Sequence, residues 1–473
     1  MTSIAKRQYV LSSRPLAFTD MQENRLPGAY LYTHRELNTA LLQTADGKQA
    51  VLLGNAFCTD ARDKQPEDDV RRFPADGLLA ATKYWTGRWT LITDTSLFTD
   101  ACGLMSAFYV GADKQWVVTS SPALLATITD RPTRGTVKPQ GLSWQVLPGC
   151  IVEGGHTLLC TQQLVYTKDG IACEPKLWME DRRELTSDEK CQAVADLLTN
   201  AMYNIHRFSG RELVLALTGG KDSRLSFAAL LKSGVPFSCY TSQHANISSS
   251  DKQIPKKLTK TFGIPYQYIK AAPADKEKEK DYLHFTAGNT NGADMAFYAR
   301  RQFEKIPANA VVIRSGLFEA GQTYGRTVAA PETFAQDMRR YYREFTTDVF
   351  QSEAFNTWLE AVGNQPIAHV DIRDRFYVEQ RVGGWAAAIE QSLDMNDCIS
   401  VQVANCAALM SVLLSCNERE RKDLTLSYGT MKILEPRVLA FGVNTVTLAD
   451  RARRVLSIIR NPAQKLQHYL NRK

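Results

Sequence analysis

The run Glu212-Leu-Val-Leu-Ala-Leu217, leading straight into Thr218-Gly-Gly-Lys-Asp-Ser-Arg224, constrains this chain more than any other stretch. Five consecutive apolar side chains leave no polar face, so the segment reads as a strand covered on both sides. Two glycines break it, and the residues from about 223 to 232 read as a helix. A doubly covered strand feeding a helix is the opening of a parallel sheet with right-handed crossovers. The alternation continues with a strand predicted over 235–241, a helix over 254–262 and a strand over 266–269. Upstream, Thr186 and Glu189 stand in capping-box register before a helix with Val194, Leu197, Leu198, Ala201 and Ile205 on one face. Beyond about residue 334 the patterns are mostly helical.

Residues 1–180 have a different texture. Short strand-like runs over 28–33, 50–54, 88–94, 106–110 and 115–120 are separated by polar or turn residues, with Gly111-Ala-Asp-Lys as a hairpin turn and a short helix over 122–126. Such closely spaced strands suit antiparallel sheets packed face to face. A chain of 473 residues is long for one core. The expectation is an α/β protein in two parts, a β-rich domain over 1–180 and a second domain over 185–473. The charge run Asp275–Asp281 reads as a solvated helix face, and no internal repeat is visible.

Composition excludes several classes. No apolar run approaches the roughly 18 residues that span a bilayer, and the first residues lack the apolar core of a signal peptide. Ten cysteines are scattered without a Cys-x-x-Cys pair, against a zinc ribbon or a redox pair. The expected compartment is the cytoplasm, with reduced, buried thiols. The net charge of +7 comes from the end of the chain. Arg451, Arg453, Arg454, Arg460, Lys465, Arg472 and Lys473 occur there without an acid, and the rest is balanced. A basic tail can touch nucleic acid, but a terminal helix with a solvated basic face explains it as well.

The segment Leu217 to Arg224 carries the clearest chemistry. Gly219 and Gly220 are expected to adopt unusual φ angles and to let the backbone approach a ligand. Their N–H groups, with those of the following turn, would form an anion-binding concavity at a helix N-terminus. Thr218 and Ser223 can donate to phosphate oxygens. An acid among such donors repels an anion, so Asp222 makes sense as a magnesium ligand. The loop is not Gly-x-x-x-x-Gly-Lys-Ser/Thr, which disfavours a Walker-type NTPase.

It resembles the pyrophosphate loop Ser-Gly-Gly-x-Asp-Ser of the ATP-pyrophosphatase superfamily, which includes asparagine, GMP, NAD and argininosuccinate synthetases and tRNA-modifying thiolases. The stretches 87–94, 100–109 and 118–121, with Val146-Leu-Pro-Gly149, resemble the glutaminase-type domain that precedes the synthetase domain in asparagine synthetases. Asp251, the stretch Ile313-Arg-Ser-Gly-Leu-Phe-Glu319, and 371–385 with Arg375, Tyr377, Glu379 and Arg381 resemble further parts of divergent asparagine synthetase-like proteins. The resemblance implies a degenerate Ntn-type αββα glutaminase-like domain, then an adenine nucleotide α-hydrolase-like synthetase domain with a parallel sheet and a helical C-terminal part. It also implies ATP and Mg²⁺ as cofactors. The ATP site would be Leu217, Thr218, Gly219, Gly220, Lys221, Asp222, Ser223, Arg224, Tyr240, Thr241, Ser315 and Gly316, with Asp222 and Glu319 on the metal.

The departures shape the chemistry. A glutamine-dependent member needs a cysteine after the initiator Met, and residue 2 is threonine, while Cys58 is internal. The first domain is therefore read as an inactive scaffold, with 88–89 and 108–109 as core. Such a domain also occurs in β-lactam synthetases and lasso-peptide cyclases, which close amide rings with an amine of the substrate. The implied activity is AMP-forming amide ligation without glutamine, joining a small-molecule or peptide carboxylate to an amine or ammonia. Candidate catalytic residues are Glu319, which stands where the family has a Gly-Ala-Asp-Glu-like loop, Lys432, which competes with a plain surface-lysine reading, and Tyr324 as part of a Tyr–Glu base pair. Two other readings stay open: a nucleotide- or partner-binding protein without turnover, and a tRNA-modifying ATP pyrophosphatase. Oligomeric state is open, with a homodimer among the options.

Overall fold

The computed structural model describes residues 1, 6–112, 115–134, 144–243, 247–289, 295, 298–322, 332–338 and 349–443. The first 175 residues build two six-stranded antiparallel sheets. One runs His156–Thr157, Phe108–Ala112, Gln115–Thr119, Tyr9–Ser12, Ala29–His34, Met21–Leu26, and the other Gly170–Pro175, Gln162–Thr167, Ser96–Thr99, Trp85–Thr93, Gln49–Cys58, Thr39–Gln43. Alternation along the strands decides what lies between them. Tyr9 and Leu11 meet Val51, Leu53 and Ile92 in the core between the sheets. Val10 points the other way, onto Leu124 and Leu125 of the helix Pro122–Thr129. Ala50, Leu52 and Leu91 pack outward on Val70 and Leu78 of the helices Pro66–Arg72 and Leu78–Ala81. The result is four layers, helix, sheet, sheet, helix.

Residues from 187 onward build a five-stranded parallel sheet in the order Tyr266–Ile269, Phe237–Ser242, Glu212–Ala216, Ala310–Arg314, Ile399–Gln402. As the apolar run requires, Leu213 and Leu215 enter one core and Val214 the other. The helix Ser187–Ser209 opens on the expected reciprocal cap: Thr186 Oγ1 accepts from the N–H of Glu189, whose carboxylate accepts from the N–H of Thr186. Strand Tyr266–Ile269 lies where the sequence predicts it, but the helix Ser249–Phe262 begins five residues early. Its N-cap is Ser248, which accepts from the N–H of Asp251, and Pro255 inside it masks the start from a periodicity reading. Met21–Leu26 and Thr39–Gln43 escape that reading as well, because each lies at a sheet edge with side chains that are mostly exposed or half-buried. Among the described residues no helix is long and apolar enough to cross a membrane.

Beside an apolar cluster that joins Phe57, Cys102 and Leu104 to Leu198, Val403 and Ala404, the sandwich and the parallel layer are tied by buried polar contacts. Asn405 donates to Gly87 O and to Asp100 Oδ1, and accepts from the N–H of Cys102. Gln380 both accepts from and donates to the backbone of Leu147. Arg88 is more than core: its guanidinium crosses the seam to both oxygens of Asp394 at 2.7 Å and also donates to Leu104 O. Removing one partner of such a buried pair strands a charge. Arg88→Met is expected to lower the unfolding free energy by about 3–5 kcal/mol, read as a lower urea midpoint, with Asp394 left uncompensated.

Candidate functional site

The first strand in chain order, Glu212–Ala216, stands in the middle of the sheet, and the order reverses between it and Ala310–Arg314. Open α/β sheets bind ligands at that reversal, beyond the carboxyl ends of the strands. The two loops that leave these ends are 217–220 and 315–317.

The first loop is tightly specified. Leu217 donates its N–H to Tyr240 O at 2.9 Å and accepts from Thr241 Oγ1 at 2.7 Å. Tyr240 and Thr241 therefore hold the strand exit. Ser223 Oγ accepts from the N–H of Thr218 and lies 2.9 Å from Thr218 Oγ1, which folds the loop back on the helix Lys221–Ser233. Gly220 caps that helix without a side chain, so nothing from the cap covers its first-turn N–H groups. Thr218 is exposed and Gly220 partly so, which leaves the turn open to solvent.

Two sequence expectations change here. Neither Gly219 nor Gly220 adopts a positive φ. Glycine is needed at 219 for space: a Cβ there would lie 2.5 Å from Ser250 Oγ and 2.9 Å from the Ser250 carbonyl carbon. The two glycine N–H groups are also engaged, Gly219 with Asp251 Oδ1 at 2.8 Å and Gly220 with Thr218 Oγ1 at 3.2 Å. The open donors belong to the helical turn that begins at Lys221. Arg224 points away from the opening. Fully buried, it donates to Gly219 O, Val438 O, Phe441 O and Gly442 O, and so pins the loop from below.

The second loop faces it. Ser315 Oγ donates to Ser226 Oγ at 2.8 Å, and the N–H of Gly316 donates to Gln402 Oε1 at 2.9 Å. Leu317 follows at φ +73°, a left-handed conformation that costs a leucine roughly 1–3 kcal/mol. It turns the chain into the short helix Phe318–Gly321, which carries Glu319. Gln322 then reaches across to Asp222 Oδ1 at 3.0 Å and ties the two loops together.

Asp222, in the first turn of the helix Lys221–Ser233, and Glu319 thus lie close enough for the charge of one to act on the other. Burial pushes the Asp222 carboxyl up, with Lys221 and Gln322 pulling it back. Burial and then the charge of Asp222 push Glu319 up, offset by Arg381, the hydrogen bond from Tyr377 and Lys221. The tyrosine bonded to Glu319 is Tyr377, at 3.3 Å, while Tyr324 lies outside the described residues. Tyr377 and Arg381 are on the π-helix Tyr377–Ala386. The Arg381 guanidinium lies 3.5 Å from the Trp385 ring centre and 5.6 Å from that of Trp144, and makes no ion pair among the described residues. Trp144 belongs to the sandwich and fills the space that a Cβ on Gly384 would take. Lys432 is exposed on the helix Thr425–Leu434, one turn beyond Tyr428.

Gln322 and Arg421 escape a reading by motif. Arg421, fully buried, donates to Ala320 O, Gln322 O, Leu414 O and Cys416 O and pairs with Asp374 at 3.0 Å. It holds the Glu319 loop from behind, from a position about 100 residues downstream. In the sandwich, Cys58 is buried with its thiol 3.8 Å from an Asp69 oxygen, and burial with that charge holds it protonated. Thr2 lies outside the described residues.

Two carboxyls held up by burial suit a divalent cation. Among the described residues no cluster of three or more His, Cys, Asp or Glu side chains exists, and magnesium needs only one or two carboxylates when phosphates and water complete its shell.

No family model matches the chain, and no curated protein does. Among solved structures, NMN synthetase from Francisella tularensis overlaps 42% of this chain and 95% of its own, at 15% identity and a TM-score of 0.23. A structure titled as the allosteric regulatory enzyme of purine biosynthesis overlaps 61% and 74%, at 9% identity and a TM-score of 0.25. At such scores the fold description rests on the strand orders of this chain alone.

The raised carboxyls have a sign. Because the folded chain keeps protons that the unfolded chain has released, metal-free stability falls as pH rises from the ordinary carboxylate range near ~4. Glu319→Gln removes part of that penalty and should raise the thermal midpoint of the metal-free protein at neutral pH by roughly 1–4 °C, with no gain below the carboxylate range. Calorimetry across pH checks both statements.

Proposed function

We propose that this chain is an ATP-dependent, AMP-forming ligase that activates a carboxylate and joins it to an amine or ammonia without using glutamine. On this reading residues 1–180 are a degenerate Ntn-type scaffold, and 185–473 an adenine nucleotide α-hydrolase-like synthetase domain. The observation that carries the reading is the pair Asp222 and Glu319, presented by two adjacent strand exits over an open helix N-terminus at the reversal of the sheet.

The first-turn N–H groups from Lys221 to Ser223 would take phosphate oxygens, aided by the helix dipole. Asp222 and Glu319 would hold magnesium, which when bound neutralises charge on the departing pyrophosphate. Thr218, Tyr240, Thr241, Ser315 and Gly316 would shape the nucleotide's walls, and Arg224 would act beneath the loop. Arg381, braced on tryptophan, is suited to orient an oxyanion of the carboxylate substrate. Lys432 and Tyr324 remain candidates for charge stabilisation and proton transfer. With Cys58 protonated and threonine at position 2, the amine would come from the substrate or from free ammonia.

The test is incubation with α-labelled ATP, magnesium and a panel of amino, keto and peptide acids. AMP and pyrophosphate should appear with at least one acid, and glutamine hydrolysis should not. Asp222→Ala should lower turnover by about 100-fold or more, the size of a lost metal contact. Arg381→Gln should raise KM for the acid more than for ATP. Tight ATP binding by calorimetry with no turnover across the panel would instead favour a nucleotide-binding protein, a reading to which the engaged Gly219 and Gly220 N–H groups also lend support. Salt-sensitive binding of tRNA would favour a base-modifying enzyme.

A further inference from the structure

The opposite edge of the parallel sheet holds a second concave place. Between the strand starts and the sandwich lies a crevice of about 420 Å³, with Arg7, Arg35 and Asn55 on one wall and Arg211, Asn309 and Asp397 on the other. It shares Asn38, Asn55, Arg211 and Ile399 with a neighbouring hollow of about 410 Å³, so the two form one groove. Arg211 immediately precedes strand Glu212–Ala216, Asn309 precedes Ala310–Arg314, and Asp397 lies two residues before Ile399–Gln402. In a parallel sheet all starts share one edge. The groove is therefore a strand's length from residues 217–220, roughly 17 Å for five residues.

The charges in this groove are not balanced. Of its three acids, Glu36 and Asp397 are already served by one lysine, since Lys6 Nζ lies 2.6 Å from Asp397 and 3.5 Å from Glu36, and Glu67 lines only the neighbouring hollow, away from Arg7 and Arg35. Arg7 is fixed by donating to Cys398 O at 3.0 Å and Asp397 O at 2.8 Å, which leaves part of its five-donor fork unused. Arg35 and Arg211 make no hydrogen bond or ion pair through their guanidinium groups among the described residues. Asn38 Nδ2 donates to Asn55 Oδ1 at 2.6 Å, which orients the Asn55 amide and leaves its own donors available. Three guanidinium groups and amide donors around a hollow of this size make a receptor for planar or tetrahedral oxyanions. The low-dielectric walls strengthen its field.

We propose that this groove binds a small molecule bearing an oxyanion, a carboxylate or a phosphate, with Arg211 and Arg35 as its principal ligands. The site joins the two halves of the protein and is separate from the nucleotide position. Because Arg211 leads directly into the strand that ends at Thr218, the ligand would occupy one end of the element whose other end carries the phosphate loop.

The experiment is calorimetric titration of the full chain with inorganic phosphate and, separately, with glutarate at low ionic strength. Parallel runs use Arg211→Gln, Arg35→Gln and, as a control at the other edge of the sheet, Ser223→Ala. At least one probe should bind the unmodified chain at one site. Each arginine variant should weaken binding in the groove by about tenfold or more, the effect of losing a hydrogen bond to a charged group, while Ser223→Ala, which alters the proposed phosphate loop, leaves glutarate binding and the arginine-dependent part of phosphate binding unchanged. The stronger of the two probes identifies the oxyanion. The proposal is overturned if neither probe binds, if both arginine variants bind as the unmodified chain does, or if Ser223→Ala alone abolishes binding, which would assign the anion to the loop. Both arginines are at least partly solvent-exposed, so a loss of binding with unchanged circular dichroism reports on the site rather than on folding.

Discussion

The site depends on a contact that leaves no room for a methyl group. The N-terminus of the helix Ser249–Phe262 packs so closely on Gly219 that only glycine fits, and the contact brings Asp251 within hydrogen-bond reach of the Gly219 N–H. With the loop pinned at that point, Arg224 secures its carbonyl side from below and Gln322 secures Asp222 from across the cleft. A turn held from three directions loses little entropy when a ligand arrives, which is the advantage of preorganisation. The same packing satisfies the Gly219 N–H through Asp251, Thr218 Oγ1 takes that of Gly220, and the first helical turn is left as the exposed source of positive potential.

The opposing loop is held against its own preferences. Leu317 sits in a left-handed conformation, and Glu319 is brought out of water beside a like charge. Both cost free energy, and the surrounding structure must over-determine them to keep them in place. Arg421 does this from the interior, through two carbonyls of the loop itself and a buried pair with Asp374. Tyr377 adds a hydrogen bond from the π-helix. Strain of this kind, concentrated on one acid at a sheet reversal, is the pattern expected of a functional segment rather than of a packing element.

The parallel sheet was legible because burial on both faces leaves runs such as 213–217 with no polar alternation, and the short length with two glycines directly after it favours a strand over a buried helix. The helix start at Thr186 was legible for an equally local reason, a capping box within four residues. Met21–Leu26 was not, because an edge strand with mostly polar side chains carries no period to detect. Within the site, the contiguous segment 217–224 stood out, but Gly219 is required by the space beside Ser250 and not by an unusual φ. Gln322 and Arg421 carried no local signal, since their roles exist only through partners about 100 residues away in the chain. Arg88 read as core and proved to be a tie across the seam for the same reason.

The ten-residue π-helix Tyr377–Ala386 has an evolutionary consequence. A π-turn accommodates one more residue than an α-turn for each closed hydrogen bond, so this stretch can absorb an inserted or deleted residue by changing its winding instead of its span. An event absorbed in this way keeps the helix beyond it in register and changes only which residue within the stretch is aimed at the acid pair. Related chains that differ in length within this segment should therefore differ in what they present to the cleft, even where the aligned letters are the same.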